Sequence, residues 1–173
     1  MGSDKALLPY SGTTLIEYVA RAVQEAAGAV AIIGDPQRYG GFGYRVIADQ
    51  IPGCGPLGGL HTALSISDTD WNVVAACDMP GISTEILFKL LDQASRTAAE
   101  CVAAALEGSD PEPLCAVYHR KCLPAVTRAL RDKRLKLKDL LQDLEVESVP
   151  ADAVRIANVN TPAEWISWKL HTP

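Results

Sequence analysis

The chain has 173 residues, 48% of them hydrophobic and 21% charged, with a formal net charge of −5 at neutral pH. That is length enough for one domain with a substantial apolar core, and the composition is globular rather than disordered. The acidic balance argues against general nucleic-acid binding, which needs a surplus of basic groups, but leaves room for a small phosphorylated ligand met by a few local donors.

Residues 14–27 predict the first helix. Thr14 and Glu17 have capping-box spacing, and Leu15, Tyr18, Val19, Ala22, Val23 and Ala26 recur on one face. Gly28 is a helix-stop glycine. Residues 30–33 form a short apolar run that ends at Gly34-Asp35-Pro36, as a buried strand does before a breaker, and residues 44–48 predict another strand ending at Asp49. The glycine-rich stretch Gly53-Cys54-Gly55-Pro56-Leu57-Gly58-Gly59 then opens a helix running to about Ser65. Residues 72–77 predict a further buried strand that stops at Asp78-Met79-Pro80-Gly81. A helix over 83–98, strands over 101–106 and 114–118, helices near 121–132 and 136–143, and short strands over 146–149 and 154–157 follow. Thr161-Pro162-Ala163-Glu164 begins a last helix with a capping threonine, an N1 proline and an acidic third residue.

This alternation predicts an α/β fold, with a mostly parallel sheet covered by helices on both faces, as a single domain over residues 1–173. In such sheets ligands sit beyond the carboxyl ends of the strands, where Asp35, Asp49, Asp78 and Asn158 fall. No apolar run approaches the roughly eighteen residues of a membrane span, so no membrane partner is expected. Residues 1–10 lack the basic-then-apolar pattern of a secretory signal. The five cysteines (Cys54, Cys77, Cys101, Cys115, Cys122) are odd in number and without a CxxC pair. They read as reduced thiols of a cytoplasmic protein, packed in core or loops.

Several residues carry a chemical reading beside a plainer one. Asp78 at a strand end can hold Mg²⁺ through a carboxylate oxygen, or simply cap the turn at Met79-Pro80. Gly55, Pro56, Gly58 and Gly59 can bring backbone N–H groups close to a phosphate at a helix N-terminus, or form a tight turn. Lys5 can neutralise a phosphate as a point charge, or be a solvated lysine. Asn158 and Asn160 offer a donor and an acceptor each to a heterocycle edge or phosphate, or make an Asx turn before the last helix. His61, His119 and His171 show no metal-ligand spacing. The basic run from Arg128 to Lys138 is expected to be a solvated helical face, the lesser alternative being that part of it receives an anionic substrate.

Taken in order, Met1-Gly2-x-Asp4-Lys5-Ala6-Leu7-Leu8-Pro9, Gly53-x-Gly55-Pro56-Leu57-x-Gly59, Ala76-Cys77-Asp78-Met79-Pro80 and Asn158-Val159-Asn160-Thr161-Pro162 resemble the molybdenum cofactor guanylyltransferase family over nearly the whole chain. The resemblance implies a Rossmann-like nucleotidyltransferase that moves GMP from GTP to Mo-molybdopterin with Mg²⁺, releasing pyrophosphate. It also implies molybdoenzyme maturation proteins as further partners. Carried over by position, Lys5 contacts the GTP phosphates, Asp49 helps to bind nucleotide, Asp78 holds Mg²⁺, and Asn158 and Asn160 meet the pterin. Asp35 stands where the family often has asparagine, and an ionised aspartate can only accept hydrogen bonds.

The family pattern begins with a strand and a loop of the form Leu-x-Gly-Gly-x-Ser-x-Arg-Met-Gly, and Met1-Gly2 matches its last two residues in register. The expectation is therefore an N-terminally truncated form, from a downstream start or a shortened product, with activity impaired accordingly. The alternatives are another nucleotidyltransferase that uses CTP or a sugar phosphate, and a non-catalytic protein that binds pterin or a partner.

Overall fold

The computed structural model describes residues 4–152 together with residues 159, 164, 165 and 168. A 3-10 turn at Lys5–Leu7 leads into a small antiparallel hairpin, β1 (Pro9–Tyr10) and β2 (Thr13–Thr14). Helix α1 (Leu15–Ala27) follows, then β3 (Ala31–Ile33), α2 (Pro36–Tyr39), β4 (Arg45–Ile47), α3 (Gly55–Ile66) and β5 (Trp71–Ala75). Next come α4 (Thr84–Ala94), β6 (Cys101–Ala105), β7 (Glu112–His119), α5 (Leu123–Arg131), α6 (Leu137–Leu141) and β8 (Val146–Pro150).

The predicted capping box forms. Thr14 accepts from the Glu17 amide, and the Glu17 carboxylate accepts from the Thr14 amide at 3.1 Å. Gly28 closes α1 at φ 78°, a left-handed value that costs glycine little. Helix α4 stops well short of the expected residue 98. Ser95 and Thr97 spend their hydroxyls outside the helix ladder, Ser95 on the Asp92 carbonyl, while Thr97 accepts from the Ala99 amide and donates to Glu147 of β8. Such residues compete with helical backbone bonding. The predicted strand over 154–157 and the start of the last helix at Thr161 lie outside the described residues.

The α/β architecture is as expected, but its sheet is mixed rather than mostly parallel. β7 runs antiparallel to both β5 and β6, while β6 and β8 are parallel, giving the order β5-β7-β6-β8. The sheet is covered on both faces, and β6 shows why its run of apolar residues is continuous. Cys101 and Ala103 pack with α3, α5 and α6 through Leu64, Val126 and Leu140, whereas Val102 and Ala104 pack with α4 through Leu87 and Leu90. The period-two alternation of a strand thus buries every residue when both faces are covered. Three cysteines lie in these layers, and all five are free thiols.

β3 and β4 form a separate parallel pair. Among the described residues β3 pairs only with β4 and β5 only with β7, so each strand has one unpaired edge. A cavity of about 540 Å³ lies between those two edges, residues 30–33 on one side and 73–76 on the other. Val19 and Val23 of α1 and Leu60 and Ala63 of α3 complete its walls. Its position explains why Val73, Val74 and Ala75 are only half-buried although they are apolar.

Candidate functional site

The carboxyl ends of β3 and β5 mark one end of this cavity, and Asp4, Lys5, Tyr39 and Asp78 line it there. Asp4 is the N-cap of the 3-10 turn, its carboxylate accepting from the Ala6 amide at 3.1 Å. That turn carries Lys5 to within 3.8 Å of Asp78, Nζ to Oδ2, with both side chains about 30% exposed (30% and 29%). Asp78 leaves the end of β5 into a turn anchored by Met79 and Ile82, which are fully buried. The Asp78 carbonyl accepts from the Val159 amide at 2.9 Å. This bond sets Val159 against the Asp78 turn. Asn158 and Asn160 themselves lie outside the described residues.

Cys77 sits beside Asp78, but burial, together with the Asp78 charge, pushes its thiol up to about 11. It is therefore a neutral thiol at physiological pH and not an activated nucleophile. No described helix is long and apolar enough to cross a membrane. The basic run identified in the sequence lies on α5, α6 and the turn between them, none of it against the cavity, and three of its members are ion-paired (Arg131 with Asp132, Arg134 with Asp143, Lys138 with Asp110).

The other predicted residues are placed less directly. Asp35 caps α2, its carboxylate accepting from the Gln37 amide at 2.9 Å. Asp49 accepts from the Ile51 amide at 2.9 Å and from the Thr62 hydroxyl at 3.0 Å, so one of its oxygens holds the loop before α3. Gly55, Pro56, Gly58 and Gly59 make the first turn and a half of α3, and Pro56 and Gly59 line the cavity. Gly55 has φ 58°, and the N-cap, Cys54, makes no side-chain capping bond. The first amides of α3 thus have no side-chain cap.

Gly58 is required for close approach. A Cβ there would lie 2.7 Å from the Ile51 carbonyl oxygen and 2.8 Å from Asp49 Oδ2, whereas at Gly59 the nearest atom is an Ile33 methyl at 3.9 Å. Gly58→Ala is expected to lower stability by about 1–3 kcal/mol, as overpacking does, despite the gain in helix propensity. Gly59→Ala is expected to be neutral or to stabilise by up to about 1 kcal/mol. Urea unfolding of the two variants, read as midpoint shifts at constant slope, distinguishes them.

Tyr39, and the Asp4 partners generally, were not visible as functional in the sequence. The Tyr39 hydroxyl donates to Asp4 Oδ2 at 2.6 Å across 35 positions of chain, and Arg38 Nη1 donates to the same oxygen at 3.1 Å. Asp4 stands in the Met1–Pro9 motif without a role of its own, and no local spacing connects residue 4 to residue 39.

A lysine and a carboxylate juxtaposed over the strand ends, beside a helix entered through glycines, suit a polyanion held by charge and backbone rather than attacked by a side-chain nucleophile. The class of protein to which the chain belongs is the nucleotidyltransferases. More narrowly, the chain belongs to the MobA-like NTP transferase family, whose domain model matches residues 1–149. A probable molybdenum cofactor guanylyltransferase of Flavobacterium johnsoniae is 32% identical over 95% of this chain and 87% of its own length.

Among solved structures, molybdopterin-guanine dinucleotide biosynthesis protein A from Archaeoglobus fulgidus superposes with a TM-score of 0.80 at 23% identity, over 98% of this chain and 90% of that one. The 2-C-methyl-D-erythritol 4-phosphate cytidylyltransferase of Thermus thermophilus gives a TM-score of 0.76 at 19% identity, over 96% and 92%. The fold is therefore common to enzymes that differ in nucleotide, and it does not select one.

Proposed function

We propose that this chain is a molybdenum cofactor guanylyltransferase that transfers GMP from GTP to the terminal phosphate of Mo-molybdopterin. An oxygen of that phosphate forms a bond to the α-phosphorus of GTP. The α–β phosphoanhydride bond breaks, and its electron pair leaves with pyrophosphate. Both reactants are anions, so the protein's task is placement and charge. The observation that carries the reading is the Lys5–Asp78 pair at 3.8 Å over the strand ends, in a chain of the MobA-like NTP transferase family whose relatives include probable molybdenum cofactor guanylyltransferases.

Lys5 supplies the ammonium that offsets phosphate charge. The first amides of α3, entered through Gly55 and Pro56, face anionic groups with the positive end of the helix dipole. Asp35 and Asp49 shape the loops around the nucleotide, and Asn158 and Asn160, flanking Val159, meet the pterin. Asp78 suits Mg²⁺, a cation usually held by one or two carboxylates together with substrate phosphates. A partly exposed carboxylate at a cavity mouth is the protein's share of such a site. When bound, the ion offsets charge on the triphosphate and on the departing pyrophosphate. The reading places the protein in the cytoplasm, where its free cysteines remain thiols.

The experiment is pyrophosphate release with Mo-molybdopterin and, in parallel, GTP, CTP or ATP. Release with GTP well above the other two is the expected result. Preference for CTP assigns the chain to another nucleotidyltransferase, and pterin binding without release from any nucleotide makes it a binding protein.

A further inference from the structure

We propose that Asp4, with Tyr39 and Arg38, is a positioning residue that holds Lys5 against Asp78. The inference rests on the reading of Lys5 as the phosphate-binding cation.

The two halves of the site stand on different sheets. Asp78 follows β5, and α2 follows β3, and among the described residues no strand pairing joins β3 to β5. Helices α1 and α3 bridge the gap by apolar packing, which is not directional. Directional bonds at the mouth come from Asp4. Its Oδ1 accepts from the Ala6 amide, which fixes the turn, and its Oδ2 accepts from both the Tyr39 hydroxyl and Arg38 Nη1. With the Asp4 side chain committed toward α2, the next residue of the turn is presented to the other side, where Asp78 stands.

Tyr39 is itself held. Its ring lies over Gly34, where a Cβ would be 2.9 Å from the ring, so only glycine leaves it room. Gly34, Tyr39, Asp4, Lys5 and Asp78 thus form one chain of contacts from the end of β3 to the end of β5. Proton placement agrees with this. Burial alone would raise the Asp4 carboxyl, but hydrogen bonds from Tyr39, the Ala6 amide and Arg38 outweigh it and hold it below its ordinary value. Burial, with the Asp4 carboxylate as hydrogen-bond partner and neighbouring charge, pushes the Tyr39 phenol up to about 12. Asp4 is the acceptor and Tyr39 the donor throughout the physiological range. The Asp4–Arg38 contact is more exposed and adds less.

The test is trace acetylation of the folded chain with acetic anhydride, read lysine by lysine by mass spectrometry, in the unaltered chain, Asp4→Asn and Tyr39→Phe. The expected result is a Lys5 rate at least about threefold higher in both variants, as for loss of roughly one hydrogen bond's net free energy. Lys89, ion-paired with Glu85 on α4, is the internal reference and is expected to keep its rate. An unchanged Lys5 rate in both variants overturns the proposal. So does a uniform rise over all lysines with a lowered melting temperature, because Asp4 is then only a general structural tie.

A second arm measures protection of Lys5 by GTP with Mg²⁺. In Tyr39→Phe the half-protecting concentration is expected to rise about threefold or more. If GTP at a concentration that calorimetry shows to saturate the unaltered chain does not protect Lys5 while the variants still change its rate, the phosphate reading fails and the positioning of Lys5 by Asp4 stands.

Discussion

Asp78→Asn, in a chain with measurable transfer, is expected to keep its fold and to lose guanylyl transfer by about a hundredfold or more, on the order of 3 kcal/mol of transition-state stabilisation. The amide is nearly isosteric with the carboxylate, so the turn after β5 can remain. Its two structural anchors do not use the side chain: the Asp78 carbonyl accepts from the Val159 amide, and Met79 and Ile82 fill the core behind it. The ion pair that is lost, with Lys5 at 3.8 Å and both groups near 30% exposed (30% and 29%), is of a kind worth about 1 kcal/mol or less. The melting temperature is therefore expected to move by no more than a few degrees.

The activity loss has a different origin. On the proposed reading, an asparagine oxygen would not bring negative charge to Mg²⁺, and the ammonium of Lys5 would lose its counter-charge where that reading aligns the triphosphate. Measured turnover at saturating Mg²⁺ and GTP, beside a thermal melt, separates the two effects. Full turnover with an unchanged melt removes Asp78 from the chemistry.

What could be read from the sequence was local. Thr14 and Glu17 are three residues apart and form their box, Gly28 follows the last periodic residue and takes the left-handed conformation, and the apolar runs ending at Asp35, Asp49 and Asp78 are strands to within a residue or two. What could not be read depends on chain reversal and distance. The β1–β2 hairpin has two residues in each strand, too few for any periodicity, and its turn rests on Ser11 and Gly12 at positive φ. The direction of β7 is not written in its own pattern, because a strand buried on both faces shows the same apolar run whether parallel or antiparallel. At the site, Lys5 and Asp78 were nameable through the family resemblance, whereas the bonds from Tyr39 and Arg38 to Asp4 join loops that only the fold brings together. Asp49 shows the converse. Its strand-end position was legible, and its bonds to the Ile51 amide and the Thr62 hydroxyl were not.

A chain that carries, ahead of residue 1, the strand and glycine-rich loop implied by the family resemblance is expected to bind GTP more tightly by orders of magnitude and to melt higher than the 173-residue chain. The cavity between β3 and β5 supplies the structural argument. Among the described residues it is bounded by two unpaired strand edges and walled by the apolar faces of α1 and α3, and residues 30–33 and 73–76 give it the length of about four strand positions at roughly 3.3 Å each. An extended apolar segment laid there pairs with both edges and buries side chains against Val19, Val23, Leu60 and Ala63. Each well-buried aliphatic side chain contributes about 1.5–3 kcal/mol, against roughly 1–2 kcal/mol per residue for ordering the backbone.

The net gain is a few kcal/mol, or roughly 5–15 °C in melting temperature for a chain of this size. Covering the two edges is also expected to suppress aggregation through them. The loop acts on affinity. A strand running with β3 and β5 delivers it at their carboxyl ends, beside Lys5 and Asp78, where its backbone amides can meet the phosphates. Roughly two or three hydrogen bonds to charged oxygens, at about 1.5–3 kcal/mol each, amount to several powers of ten in the dissociation constant. Lys5 supplies charge without direction, and a loop of amides supplies the direction. GTP titration calorimetry and thermal melts of both lengths in one buffer measure the two effects separately. Equal affinity and equal melting for the two lengths mean that the segment does not enter the cavity and that phosphate binding here depends on Lys5 and α3 alone.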